Sequence, residues 1–409
     1  MQTLQTQNPH KAHKAKSPKV SIIIPTLNRI AYIKECVDSA LAQSLRDIEI
    51  ICVDAHSTDG TLEVLQNYAR QDSRLRVIIS EHKSYGHQMN LGIKNAKGEY
   101  FGIIESDDYV APTMYERLYK VAKDSQCPII KAKYAIFYGT GEKRTFDKKE
   151  ITPHKEHYGK VLDISTPDIK FDIALLNQIG IFSLNFVREN HIVFNESAGA
   201  SYQDNGFFHQ SIILAKSIYL LDECLYFLRR DNPTSSVFAT NKALLMCDEY
   251  DFIRAWLAKY PHLEPIYAPY IARYRWGNYV WQIDITPIEF RCEVIKRMSQ
   301  DMRVCYEKGE LVLFGIDTLL EIKELIDEPM RYFYNHCCKI DDNESDLSKK
   351  CLNLKAQIYR LNHPTSSRQF RGAIKFYLIY KIKKKFYKSA FYRRWHKIQQ
   401  KAFKKQKII

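Results

Sequence analysis

Over the first third of the chain, short apolar runs alternate with segments whose apolar residues recur at helical spacing. "KVSIIIPTLN" (19–28) is rich in β-branched residues and ends around a proline, which predicts a strand. "RIAYIKECVDSALAQS" (29–44) places its apolar residues on one helical face. "DIEIICVD" (47–54) predicts a strand, "STDGTLEVLQNYARQ" (57–71) a helix opened by a capping cluster, and "RLRVIIS" (74–80) another strand. "SYGHQMNLGIKNAKG" (84–98) predicts a helix stopped by Gly98, leading into the strand "EYFGIIES" (99–106). Strands alternating with helices of this length predict an α/β architecture with a Rossmann-like, mostly parallel sheet. Ligands of such sheets bind beyond the carboxyl ends of the strands. Three predicted strand ends carry polar clusters, "PTLN", "VDAHSTDG" and "ESDD".

Further along, residues 128–240 mix strand, helix and loop patterns, and 241–343 turn helical and aromatic, as in "YDFIRAWLAKY" and "YIARYRWGNYVWQI". The expected organisation is a disordered basic leader (1–18), a catalytic domain (19–240, its nucleotide-binding part 19–127 and its acceptor-side part 128–240), the helical region, a linker (344–367) and a basic amphipathic tail (368–409).

Charge locates a second feature. The 409-residue chain carries a net +14, and residues 368–409 hold fifteen Lys and Arg with no acid. Subtracting those fifteen leaves the rest of the chain at −1. Interleaved Phe, Tyr, Trp and Ile make the tail fit an anionic membrane surface. A solvated tail is the plain alternative. A nearly neutral body and the lack of a recognised nucleic-acid module count against nucleic-acid binding. No apolar stretch of about 18 residues is present to predict a spanning helix, and the first residues lack the apolar segment of a secretory signal. Ten cysteines without CxxC spacing fit a reducing cytosol and give neither a zinc nor a disulfide framework; Cys36 and Cys52 are expected in the core.

The acids of "YFGIIESDDYVAP" (100–112) pose the chemical question. Glu105, Asp107 and Asp108 crowd one strand end, where mutual repulsion costs stability unless a cation sits among them. Such a pair can hold a divalent cation whose other ligands are water and phosphate oxygens. A turn at the strand end would let adjacent Asp107 and Asp108 face different ways. The competing reading is a cap on the following helix, "YVAPTMYERLYKVAK". Asp54, in "VDAHSTDG", has the same ordinary alternative as a loop residue.

Residues 20–112 resemble the nucleotide-binding half of the inverting family 2 glycosyltransferases of GT-A fold. "VSIIIPTLN" is similar to the opening strand of that family, "VDAHSTDGT" to its second strand-end motif, and "NLGIKNAKGEYFGIIESDD" to the approach to its metal-binding motif. "FNESAGASYQDNGFFHQ" with "YFLRRDNPTSSV" resembles the acceptor side of bacterial members acting in polysaccharide or lipopolysaccharide assembly. The resemblance spans roughly 20–237. It implies that Pro25, Thr26 and Asn28 border the nucleotide and that Asp54 meets the base, uracil by implication. It also implies that Asp107 lies near ribose and metal, that Asp108 ligates Mg²⁺ or Mn²⁺, that Asp204 is the catalytic base and that Arg229 clamps the leaving diphosphate. For Asp204 the alternative is a helix N-cap, and for Arg229 a solvated turn.

The implied partners are a nucleotide-sugar donor and a glycan or lipid-linked acceptor, and the implied place is the inner face of the cytoplasmic membrane. Three departures stand out: Ala55 follows Asp54 where many relatives have a second acid, Glu105 replaces a common Asp, and Met89 stands where Arg is frequent. Two other classes fit less well. A sugar nucleotidyltransferase would carry a Gly-rich phosphate loop after the first strand, which "IIIPTLNRIAY" lacks. An inactive binding module would have no need of Asp107, Asp108 and Asp204.

Overall fold

The first predicted strand is a seven-residue element, β1 (Val20–Thr26), buried along its whole length. A run of β-branched residues buried on both faces is what a central parallel strand requires. The computed structural model describes residues 17–233 and 243–337. The linker, the basic tail and nearly all of the leader lie outside the described residues, as does the expected domain boundary near 240. Around β1 come α1 (Ile33–Leu41), β2 (Ile48–Asp54), α2 (Thr61–Gln71), β3 (Leu75–Ile79), α3 (Tyr85–Asn95), β4 (Tyr100–Ile103), the two-residue β5 (Tyr109–Val110) and α4 (Met114–Ser125). The helices bury one stripe each. In α1 the buried positions are Ile33, Cys36, Val37 and Ala40, three or four residues apart. Cys36 and Cys52 are fully buried core residues, as expected.

The second half of the α/β unit adds β6 (Ile129–Tyr138), β7 (Thr145–Lys149), β8 (Val161–Asp163), α5 (Pro167–Phe171), β9 (Gly180–Ser183), α6 (Leu184–Glu189), α7 (Gln203–Leu214) and β10 (Ser217–Arg229). The sheet runs β3-β2-β1-β4-β9-β6-β10-β5, with β7 on β6 and β8 on β10. Strands β3, β2, β1 and β4 are parallel neighbours, and β6 is parallel to β10. Antiparallel β9 joins β4 to β6. This mostly parallel sheet has the GT-A arrangement. The chain leaves β1 for β2 on one side and returns as β4 on the other, so a crevice opens at the carboxyl ends of β1 and β4. The acidic turn sits there.

Helices α8 (Ala243–Leu257), α9 (Glu264–Ile285), α10 (Ile288–Glu307), α11 (Ile316–Asp327) and α12 (Pro329–Tyr332) follow, the last running into a π-turn, Phe333–Cys337. Helix α7 links these to the sheet. It packs against α3, α5 and α8, and ten of its residues are buried. Phe207 stacks on Phe194 and meets Phe101 of β4 and Phe182 of β9 edge-on. At its carboxyl end, buried Lys170 donates to the carbonyls of Ile212, Ile213 and Ala215 at 2.7, 2.6 and 2.8 Å. A cation there satisfies the last open carbonyls and complements the helix dipole. Burial pushes the Lys170 ammonium down to about 8.

Candidate active site

The "ESDD" segment closes a turn. The Asp108 N–H donates to the Glu105 carbonyl at 2.9 Å, so the adjacent carboxylates of Asp107 and Asp108 part company. The following helix starts only at Met114, with Thr113 at its cap position, so neither aspartate caps it. Asp108 turns inward and is 4% exposed. Its Oδ2 accepts from the Tyr226 hydroxyl at 2.6 Å and its Oδ1 from the Arg229 N–H at 2.7 Å. The same Tyr226 hydroxyl accepts from the Glu105 N–H at 3.1 Å. Asp108 thus ties β10 to the end of β4. The expectation places a metal ligand at Asp108; each of its oxygens already accepts one protein hydrogen bond and keeps a second lone pair. Asp107 is half-buried instead, with Oδ2 held by the Asn232 amide at 2.6 Å. Glu105, also half-buried, accepts from the Tyr85 hydroxyl at 2.8 Å.

Arg229, expected to clamp the leaving diphosphate, has a side chain only 3% exposed, so it is not a solvated turn residue. Its Nε donates to the Asp107 carbonyl at 3.0 Å, and it pairs with Glu35 at 2.8 Å and Asp231 at 3.3 Å. The guanidinium lies over the Tyr32 and Phe137 rings, 4.8 and 4.5 Å from their centres. It braces the acidic turn from behind.

At the ends of β1 and β2 only one of the four expected nucleotide contacts is exposed. Pro25 and Thr26 are buried, and Asn28 stands out with φ 53°. Asp54 is fully buried; its Oδ1 accepts from the Ser57 N–H at 2.8 Å and its Oδ2 from the Ser57 hydroxyl at 2.6 Å. The expected base contact thus falls on a carboxylate that is buried and held by Ser57. Asp54 acts through Ser57, whose Oγ accepts from the Asn28 N–H at 2.8 Å, while the Asn28 side-chain oxygen accepts from Thr58 N–H at 2.9 Å. Gln88 of α3 ties both strand ends together, donating to the carbonyls of Thr26 and Val53 at 2.8 and 2.6 Å. Met89, beside it, is wholly in the core.

Asp204 completes the site from α7. The cap residue is Tyr202, in the left-handed region at φ 66°, so Asp204 lies within the first turn and is not the N-cap. Among the described residues no side chain donates to its carboxylate. Burial pushes Asp204 up to about 6, against the backbone N–H groups of Asp204 and Asn205. Burial also lifts Glu105 to about 7, in spite of its hydrogen bond from Tyr85, with the charges of Asp107 and Asp204 adding to the rise and Arg29 opposing it. Asp108 is raised well above the carboxylate range, first by burial and then by Asp107. The turn after β4 and the first turn of α7 thus converge their negative charge on one crevice, and a cation placed there would relieve it. The donor set fits a hard divalent ion of the Mg²⁺ or Mn²⁺ kind, because the two outward groups, Glu105 and Asp107, offer only carboxylate oxygens.

Tyr226, Asn232 and Tyr85 are the site residues that pattern reading missed. Tyr226 and Asn232 stand more than 100 residues from their acidic partners, and no local spacing signals them. Buried Glu249 of α8 is a fourth. It accepts from the Asn195 amide at 2.9 Å and from the Gly206 N–H, in the first turns of α7, at 2.7 Å.

The chain matches the profile of glycosyl transferase family 2 over residues 21–182. The uncharacterized glycosyltransferase EpsJ of Bacillus subtilis is 31% identical over 226 residues, which is 53% of this chain and 62% of EpsJ. The poly(ribitol-phosphate) beta-glucosyltransferase of Bacillus spizizenii is 32% identical over 225 residues, 54% of this chain and 34% of that protein. The chain therefore spans less than two thirds of either. The glycosyltransferase GlyG of Streptococcus pneumoniae is 30% identical over 226 residues, 52% of this chain and 71% of GlyG. With the strand-end acids, the GT-A sheet and this coverage taken together, the chain belongs to glycosyl transferase family 2.

Proposed function

We propose that the chain is a metal-dependent, inverting glycosyltransferase that moves a sugar from a nucleoside-diphosphate donor, UDP-linked, to a hydroxyl of a glycan or lipid-linked acceptor in cell-surface polysaccharide synthesis. The carrying observation is Asp204. Among the described residues it is the one strand-end or crevice aspartate without a side-chain partner, its proton is held to about 6, and its charge acts on Glu105 across the crevice. Carboxylates held by side chains, such as Asp54 and Asp108, build the site; one that meets only backbone N–H groups is available for chemistry.

In this reading Asp204 accepts the proton of the acceptor hydroxyl as its oxygen attacks the anomeric carbon, and the nucleoside diphosphate leaves from the opposite face with inversion. A general base of this kind contributes ~10²–10⁴-fold. Glu105 and Asp107 would hold Mg²⁺ or Mn²⁺, which would supply positive charge for the phosphate oxygens of the leaving group. Asp108, Tyr226 and Arg229 fix the turn that carries those ligands, and Asn28, set by Ser57 and Asp54, borders the nucleotide. Attachment to an anionic inner-membrane surface through 368–409 would bring the enzyme to a lipid-linked acceptor.

The test is release of nucleoside diphosphate from a panel of nucleotide sugars, with and without EDTA, for wild type, Asp107→Asn and Asp204→Asn. Metal-dependent release from a uridine donor, lost in both variants, is the expected result. Turnover indifferent to EDTA removes the metal, and undiminished turnover in Asp204→Asn removes the base.

A further inference from the structure

The segment between β7 and β8 carries a separate cluster. His154 precedes a single 3₁₀ turn, Lys155–His157, whose closing bond runs from the His157 N–H to the His154 carbonyl at 3.1 Å. At three residues per turn, side chains at i and i+3 eclipse, so the two imidazoles fall on one face. Their ring centres are 4.8 Å apart. One ligand atom each from His154, Glu156 and His157 lies within 4.8 Å of the others. The pair His154 Nδ1 and Glu156 Oε1 is at 3.5 Å.

Two further observations point the group toward a ligand. The other ring nitrogen of His154, Nε2, is 3.2 Å from the Asp172 carboxylate, just past the end of α5. In the tautomer that donates from Nε2 to Asp172, the Nδ1 lone pair is left on the side of Glu156. In addition, Nδ1 of His157 is a buried nitrogen with no hydrogen-bond partner. Two imidazoles and a carboxylate with ligand atoms this close, one imidazole nitrogen buried and without a partner, are a donor set for a cation.

We propose that His154, Glu156 and His157 bind a divalent transition metal, zinc by preference, with Asp172 as the outer partner that orients His154. Two imidazoles and one carboxylate are a zinc ligand set that leaves a fourth position for water. Imidazole donors separate this site from the all-oxygen pair Glu105 and Asp107, which suits Mg²⁺ or Mn²⁺. No cysteine takes part, which is why the absence of a cysteine framework in the sequence does not bear on it. Through Asp172 the metal would clip the β7–β8 connection to α5, the helix whose Lys170 closes the end of α7.

The experiment uses the full chain, stripped of metal and titrated with Zn²⁺ against a chromophoric chelator, in excess Mg²⁺ to occupy the strand-end acids. One zinc equivalent is expected. His154→Ala and His157→Ala should each abolish it, and Asp172→Asn should weaken it by about 10–100-fold. Asp107→Asn should leave it unchanged, and acidification should weaken it because protons compete for the imidazole nitrogens. All four substituted side chains lie outside the hydrophobic core, and circular dichroism checks that each variant is folded. Absence of a bound equivalent, affinity indifferent to both histidine substitutions, or loss of the equivalent in Asp107→Asn overturns the proposal.

Discussion

A carboxylate's partners decide what it can do, and this chain holds examples of each kind within one crevice. Asp54 and Asp108 spend their oxygens on Ser57, and on Tyr226 and Arg229. Replacing Asp108 with Ala strands a buried hydroxyl and a buried N–H, each worth about 1–3 kcal/mol. Asp108→Ala should therefore lower the denaturation midpoint clearly, while Asp107→Asn, at a half-buried position, should leave it nearly unchanged and remove metal-dependent turnover; urea titration and the transfer assay separate the two. Asp204→Asn should reduce kcat by ~10²–10⁴-fold with little change in donor KM, because the proton moves only in the transition state. The working form of Asp204 is the ionised one, so the rate should fall as pH drops through about 6. A bound cation nearby would move that midpoint lower, and the limb should vanish in Asp204→Asn. A pH–rate profile running flat to pH 4 in the wild type would contradict the base assignment. At this scale the acidic cluster was legible in the sequence, but its hydrogen-bond partners were not. Adjacent Asp107 and Asp108 look equivalent in a string of letters; a turn and a tyrosine 118 residues away leave one buried and the other half-buried.

Elements carry those side chains to one place, and their legibility varied with where their partners lie. The units β1–α1 to β4–α4 were readable because a parallel strand buried on both faces and a one-sided helix leave local periods in the sequence. Strands β6 to β10 were not, since their pairing depends on distant partners, as far as Phe227 of β10 is from Tyr109 of β5. Helix α7 was found as a helix, but its burial on all sides reflects what surrounds it. Its amino end is set by Glu249, whose carboxyl burial pushes up to about 8 from an ordinary 4.5. The unfolded chain gives up that proton near 4.5 and the folded chain only near 8, so in between the native state binds more protons and stability falls as pH rises. Glu249→Gln should flatten that fall in melting temperature across the same window. Glu249→Ala should strand the Gly206 N–H and the Asn195 amide, at about 1–3 kcal/mol each. Glu249→Ala should also lower kcat more than it raises KM, by up to ~10²-fold if the first turn of α7 shifts. Equal melting curves for wild type and Glu249→Gln from pH 4.5 to 8 would show that Glu249 titrates normally.

At the scale of the whole molecule the charge is lopsided: +14 overall, with fifteen cations in residues 368–409. Deleting 368–409 should release the protein from anionic vesicles and spare activity on a soluble acceptor analogue. Attraction of the full chain should weaken with salt, the Debye length being ~8 Å at physiological ionic strength, while the aromatic contribution persists. Sedimentation with neutral and anionic vesicles across a salt series checks both; equal binding by the truncated chain ends the membrane reading. Among the described residues no helix is long and apolar enough to cross a membrane. The place of α7 reaches further than catalysis. Because Phe207 is keyed into the sheet while Gly206 and Glu249 hold the same helix to α8, the helical array and the sheet should melt together. Calorimetry should find one endotherm for both, and a chimera that borrows its helices from a relative will need that relative's α7 as well, so the exchangeable part of this enzyme begins at Asn195 and not at the end of its last strand.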